Sequence, residues 1–142
     1  MGKGTIMTLY KIYVCLVLEK DGKILLSRRQ NTGWMDGFWH IPGGGLEENE
    51  SLTHAATREA KEELGVEVDP AHLCLMHVLH LNKKTLGFYF KATVWTGEPI
   101  NNEPSECSEI GWFDLTNLPE EMSPFSKRVA ESKNGAACFY IE

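Results

Sequence analysis

The 142-residue sequence has no basic run. Its formal net charge is -6, so no cation stripe is available to lie along phosphate backbones, and a nucleic acid polymer is not expected as partner. An acidic chain takes a phosphate-bearing substrate only where a cation mediates. No apolar run approaches the length of a membrane span, and a membrane partner is not expected either. The opening MGKGTIM lacks the apolar core of a signal peptide, and Ile6 stands where a myristoylation signal needs Ser or Thr. Cys15, Cys74, Cys107 and Cys138 are scattered, with no C-x-x-C pair; free thiols in a reducing compartment follow, rather than a disulfide framework or a zinc site. These absences predict a cytoplasmic location. Repeats, linkers and low-complexity tracts are missing as well, and one domain over residues 1–142 is expected.

What is present fits an ordinary globular composition, with 42% hydrophobic and 24% charged residues. YKIYVCLVLEKDGKILLSRR holds two β-branched apolar runs around Asp21-Gly22, a hairpin signal because both turn residues tolerate positive φ. NTGWMDGFWHIPGGG reads as a structured loop with a short strand at Trp39–Ile41. Helix is expected from Ser51 to Leu64, with Ser51 as N-cap and Gly65 at C′. LCLMHVLHL and TLGFYFKATVW are strands joined by the turn NKK. In the second, Leu86, Phe88, Phe90, Ala92 and Val94 alternate with more polar positions, which predicts one buried face. A short strand is expected around Ile110–Phe113. A last helix is expected to open at Ser123-Pro124 and run to about Lys133, with ACFYI as a closing strand. The fold class is α/β with a mixed sheet and two main helices.

The segment REAKEELG concentrates charge. Glu59, Glu62 and Glu63 stand at i, i+3 and i+4, where like charges repel across a helix surface by a few tenths of a kcal/mol per pair. Lys61 is the only other nearby cation beyond Arg58, and Arg58 is placed to reach Glu62 one turn on and Glu50 at the helix start. A solvated helix face usually mixes signs more evenly. A hard divalent cation turns the repulsion into coordination, since Mg²⁺ binds a few carboxylate oxygens and shares its shell with phosphates and water. Gly43, Gly44 and Gly45 let the backbone turn beside that carboxylate face.

Residues 44–66 resemble the Nudix box, G-x₅-E-x₇-R-E-U-x-E-E-x-G-U with U aliphatic. Gly44, Glu50, Arg58, Glu59, Ala60, Glu62, Glu63, Gly65 and Val66 fill its fixed positions in order. The flanks LLSRRQNTGWMDGFWHIPGGGLEENES and VWTGEPINNEPSE…WFDLTNLP are also similar to the MutT/Nudix family, so the resemblance spans most of the chain. It implies an α/β/α sandwich around a mixed sheet, and a hydrolase of nucleoside diphosphate-linked substrates that uses Mg²⁺ or Mn²⁺. It further implies that Glu59, Glu62 and Glu63 bind metal, that Gly44 supplies a backbone carbonyl or the turn allowing one, and that Arg58 and Glu50 orient the set. Glu59, or Glu103 in the GEPINNEP loop, is the candidate to take the proton of the attacking water.

Substrate contacts are expected from Arg29, which aligns with a phosphate-contacting position of mutator-type relatives, and from Arg28 beside it. Trp34, Phe38 and Trp39 are candidates to stack on a base, with Trp34 and Phe38 taken as the substrate residues. The marks of ADP-ribose pyrophosphatases, diadenosine polyphosphate hydrolases and coenzyme A pyrophosphatases are missing after the box. The expected reaction is therefore conversion of a (deoxy)nucleoside triphosphate to monophosphate and pyrophosphate. Hydrolysis of ADP-ribose or another nucleotide-sugar diphosphate is the alternative, with a non-catalytic nucleotide-binding module behind it. A monomer or homodimer acting on a small nucleotide-type molecule completes the expectation.

Overall fold

The computed structural model describes residues 4–132 and the backbone of a strand at 137–141. Strand β1 (Lys11–Lys20) turns through Asp21 and Gly22 into β2 (Lys23–Arg29). Both turn residues have positive φ, 53° and 75°, the pair of angles that matches strand twist in a two-residue hairpin. The two strands pair only beside that turn, Glu19 with Ile24 and Lys20 with Lys23, and then diverge. The divergence builds the site, because each strand takes up different partners beyond it. Strand β1 pairs with the glycine strand β4 (Gly43–Gly45) along Tyr13, Val14 and Cys15. Strand β2 pairs with β3 (Trp39–His40) and with β7 (Cys107–Asp114).

Along its other edge β1 runs parallel to β6 (Thr85–Ala92), from Lys11 against Thr85 to Leu18 against Ala92. Strand β5 (Cys74–Leu81) lies antiparallel to β6 through a turn in which Asn82 and Lys83 have positive φ, and β8 (Ala137–Ile141) runs parallel to β5. The sheet is thus mixed, in the order β3-β2-β1-β6-β5-β8, with β4 on β1 and β7 on β2.

A helix covers each face. Helix α1 (Leu52–Leu64) buries Ala55, Ala56, Ala60 and Leu64 against Val14, Leu16, Leu18 and Phe90. Helix α2 (Pro124–Ala130) buries Val129 in a second core with Cys15, Val17, Leu26, Leu79 and Tyr89. Strand β1 sends alternate residues into both cores, which is why Val14–Leu18 is apolar throughout rather than alternating. Each such side chain contributes about 1.5–3 kcal/mol by leaving water. This is the α/β/α arrangement expected. No helix among the described residues is long and apolar enough to cross a membrane.

Three sequence expectations need correction. Strand β6 is buried on both faces, since Tyr89 lies in the second core while Phe90 and Ala92 lie in the first. It stops at Ala92, leaving Val94 56% exposed. Strand β7 extends from Cys107 rather than Ile110, because pairing with β2 continues to Arg29 through a bulge between Arg28 and Arg29. Helix α2 ends at Ala130, and Lys133 falls outside the described residues. Pro124 takes the first helical turn as expected, but Ser123 makes no capping hydrogen bond with its side chain. Cys15, Cys74 and Cys107 are free thiols, and the Cys138 side chain lies outside the described residues.

Candidate active site

Helix α1 is capped at both ends by the residues expected. Ser51 Oγ accepts from the His54 amide at 3.1 Å, and Gly65 sits at φ 68°, donating to Ala60 and Lys61 carbonyls. Its charge distribution runs against the helix dipole. The first turn holds no acidic residue, whereas Glu62 and Glu63 stand at the carbonyl end, where negative charge is disfavoured by a few tenths of a kcal/mol or more. Such placement costs stability and points to a use outside folding.

Arg58 organises the carboxylates. Its Nε and Nη2 donate to the two oxygens of Glu50 at 2.6 and 2.9 Å. Nη1 donates to Glu59 Oε1 at 2.8 Å and to Glu62 Oε2 at 3.2 Å, and Nη2 also reaches the Gly45 carbonyl at 3.0 Å. The bidentate bond holds the Glu50 carboxyl at a pKa of about 2, while Arg58 is pushed further from deprotonation. Burial outweighs Arg58 at Glu59, whose pKa is raised, with Glu62 and Glu103 adding to the effect.

Glu63 differs from its neighbours. It accepts from the Gly43 amide, but its Oε2 is buried with no hydrogen-bond partner among the described residues. Burial, then the charges of Glu59 and Glu103, push this carboxyl well above the usual range. A buried carboxylate oxygen without a donor costs roughly 1–3 kcal/mol or more, and proteins seldom leave one without reason. Gly44 lies against Glu59 so closely that a Cβ there would overlap the carboxylate.

No three His, Cys, Asp or Glu side chains among the described residues already converge as a metal cage. Arg58 bonds one oxygen of Glu59 and one of Glu62. The donor set nevertheless suits a hard cation: oxygen ligands only, one of them orphaned, beside a glycine with no side chain to block approach.

Gly43, Gly44 and Glu63 border a cavity of about 360 Å³ whose lining also holds Arg29, His40 and Glu103, whereas Glu59 and Glu62 are not part of that lining. Glu103 reaches it on a loop fastened to the end of α1. Asn102 donates from its backbone to Glu63 O at 3.0 Å and from its amide to Glu62 O at 3.1 Å. Asn101 Oδ1 accepts from the Glu103 amide at 3.2 Å, and Asn101 Nδ2 donates to Cys107 O at 2.8 Å. Partial burial, then Glu106 and Glu62, raise the Glu103 carboxyl.

The four expected substrate residues part company. Arg29 lines the cavity, and its charge is felt by Glu63 and His40. Arg28 turns away: it bonds the Gly37 carbonyl at 2.8 Å, pairs with Glu109 and Glu121, and lies over Trp39. Trp34 and Phe38 do not line the cavity, and Trp34 stacks instead on Phe125. Sequence reasoning missed Ser27, Asn31, Asn101, Asn102 and Cys107, and it gave His40 no role. His40 stands half-buried in the cavity wall, bonds Ser27 Oγ through Nε2 at 3.1 Å, and has its pKa lowered to about 3 by desolvation of the ring and by Arg29.

The NUDIX domain family model matches residues 9–132. The chain is 34% identical over 94 residues to an 8-oxo-dGTP diphosphatase of Proteus vulgaris, covering 65% of this chain and 82% of that protein. It is 30% identical over 123 residues to phosphatase NudJ of Escherichia coli, covering 85% and 79%. A MutT NUDIX hydrolase structure from Burkholderia pseudomallei superposes with a TM-score of 0.79 at 27% identity, covering 87% of this chain and 98% of that one. With box, fold and relatives in agreement, the chain belongs to the Nudix family, as an enzyme that hydrolyses phosphoanhydride bonds.

Proposed function

We propose that residues 1–142 act as a single-domain, divalent-metal-dependent pyrophosphohydrolase that converts a (deoxy)nucleoside triphosphate to monophosphate and pyrophosphate. The observation that carries the metal dependence is the buried, unpartnered Oε2 of Glu63 beside Glu59 and the bare Gly44. Mg²⁺ or Mn²⁺ would be held by Glu59, Glu62, Glu63 and the Gly44 carbonyl; when bound it neutralises phosphate charge and lowers the pKa of a bound water.

The chain's own residues supply the rest. Arg58 sets the orientation of the carboxylates and fixes the helix start through Glu50. Glu59 and Glu103 both carry raised pKa values, which makes either a better proton acceptor than an ordinary surface carboxylate. Arg29 meets the part of the polyphosphate that lies away from the acidic helix. The triphosphate preference is supported by the Proteus vulgaris relative, named for a nucleoside triphosphate, and by the lack of ADP-ribose-type marks after the box.

Products decide the matter. Nucleoside triphosphates incubated with the protein and Mg²⁺ are separated by chromatography, with and without inorganic pyrophosphatase. Monophosphate and pyrophosphate are expected. Orthophosphate released without the coupling enzyme, with nucleoside diphosphate accumulating, overturns the assignment.

A further inference from the structure

Arg29 leaves β2 at the bulge opposite Cys107, the kind of irregularity that re-aims a side chain. Its Nε donates to the Trp34 carbonyl at 2.7 Å, and its guanidinium lies 5.1 Å from the centre of the Trp34 ring. That ring in turn stacks on Phe125 of α2, with centroids 5.9 Å apart and planes 19° from parallel. Trp34 is 52% exposed, so burial alone does not hold it.

The loop between Arg29 and Trp39 is ordered by its own bonds. The Asp36 carboxylate accepts from the Thr32 and Gly33 amides, and the Gly37 amide closes the loop on the Arg29 carbonyl at 2.8 Å. Gln30 and Asn31 side chains donate to the Pro104 and Ser105 carbonyls, tying the same loop to the one that carries Glu103. Arg29 thus spends Nε and its ring contact on the loop. Its two Nη nitrogens make no hydrogen bond among the described residues, although the side chain lines the cavity.

An arginine loses much rotamer freedom when it is fixed, and fixing it before a ligand arrives removes that cost from binding. We propose that Trp34 and Phe125 are positioning residues that hold Arg29 ready for an anionic polyphosphate. Trp34 acts on Arg29 through its carbonyl and its ring, and Phe125 acts through Trp34. This rests on the reading of Arg29 as the polyphosphate contact, and it assigns Trp34 a task other than stacking on a base.

The test uses inorganic tripolyphosphate with Mg²⁺ as probe, which carries no base and does not depend on which nucleotide is hydrolysed. Calorimetry gives Kd for wild type, Trp34→Ala, Trp34→Phe, Phe125→Ala, Phe125→Leu, Arg29→Ala and the double variant Arg29→Ala/Phe125→Ala. Phe125→Ala and Trp34→Ala are expected to weaken binding about fivefold, and Trp34→Phe, which keeps an aromatic ring, less than twofold. In the Arg29→Ala background, Phe125→Ala is expected to change nothing further, a cycle that a merely structural role does not produce. Without any ligand, the Arg29 Nε–H signal in NMR is expected to be dispersed and slow to exchange in wild type and to lose that protection in Phe125→Ala. Should Phe125→Ala melt early, Phe125→Leu and Trp34→Ala carry the comparison. An equal loss from Phe125→Ala with and without Arg29, or wild type that fails to bind tripolyphosphate, overturns the proposal. Binding that behaves as expected in a protein releasing no pyrophosphate from nucleoside triphosphates supports the coupling and overturns only the proposed substrate.

Discussion

Arg58 and Glu50, eight positions apart, meet through two hydrogen bonds of 2.6 and 2.9 Å, so the loop before α1 is fastened to the middle of the helix. The same guanidinium touches Glu59 and Glu62, and one side chain therefore sets three carboxylates.

Replacing Arg58 with Ala frees all three. The expected result is a Mg²⁺ requirement raised by about tenfold or more, with KM for substrate changing less, because the arginine orients ligands rather than substrate. Titrating Mg²⁺ at saturating substrate checks this, and an unchanged metal requirement assigns Arg58 another role.

Glu62→Gln and Glu63→Gln keep shape and remove charge. Each is expected to lower kcat by about two orders of magnitude or more, the scale of losing a hard anionic ligand. The metal-free fold is expected to be as stable or slightly more so, since crowding of like charge is relieved. Wild-type rates in both variants refute the metal-cradle reading.

The carboxylates give the pH dependence of the metal-free protein a contribution of definite sign. Glu59, Glu63 and Glu103 have folded pKa values raised above 4.5, so the folded state binds more protons than the unfolded chain just above that pH. Stability falls as pH rises through that window and recovers as pH drops back toward 4.5. Glu50 acts oppositely, but its bond to Arg58 is fully present above 4.5 and is lost only as pH falls toward about 2. His40, with its folded pKa near 3, and His77, also lowered by burial, act against the carboxylates between pH 7.5 and 5.5, because their imidazoles take up protons more readily in the unfolded chain. The carboxylate part is read by difference: in chelator, the melting point at pH 5.5 minus that at pH 7.5 is expected to be about 2–5 °C more positive in wild type than in Glu63→Gln. Mg²⁺ is expected to narrow that gap. The same pH difference in wild type and Glu63→Gln contradicts the assignment of buried charge.

Gly44→Ala tests space rather than charge. The new methyl group overlaps the Glu59 carboxylate, which has to shift, while the backbone itself is not in a glycine-only conformation. Activity is expected to fall by about tenfold or more, with a stability loss of about 1–3 kcal/mol. Gly45→Ala, which meets nothing nearby, is the control and is expected to stay near wild type.

Local chemistry was legible in the sequence. The Asp21-Gly22 hairpin, the Ser51 and Gly65 caps and the acidic turn each depend on neighbours within a few residues, and each stands where expected. What escaped notice depends on partners distant along the chain. Tyr89 looked like the polar-side residue of an alternating strand, yet it is buried against the second core, where Tyr13 Oη lies 2.9 Å from its hydroxyl. Trp34 and Arg28 looked like substrate residues, but Phe125, Glu109 and Glu121, all far downstream, draw them elsewhere. Asn101 and Asn102 carry no mark in the sequence, and only the fold reveals that Asn102 bonds two carbonyls at the end of α1 and Asn101 the Cys107 carbonyl on β7, either side of Glu103.

The parallel pairing of β1 with β6 has a consequence for how the chain is made. Every rung joins residues remote in sequence, so loop-closure entropy is lost before the rungs form, and folding of such pairings is slow. On the ribosome the β1–β2 hairpin and α1 emerge well before Ala92. Until then the apolar segment Val14–Leu18, which ends up between two cores, has neither its parallel partner nor the cover that α2 gives its second face. The nascent chain therefore presents a sticky five-residue strand during the interval when the acidic helix already exists, and that segment is where a holding chaperone would first engage it.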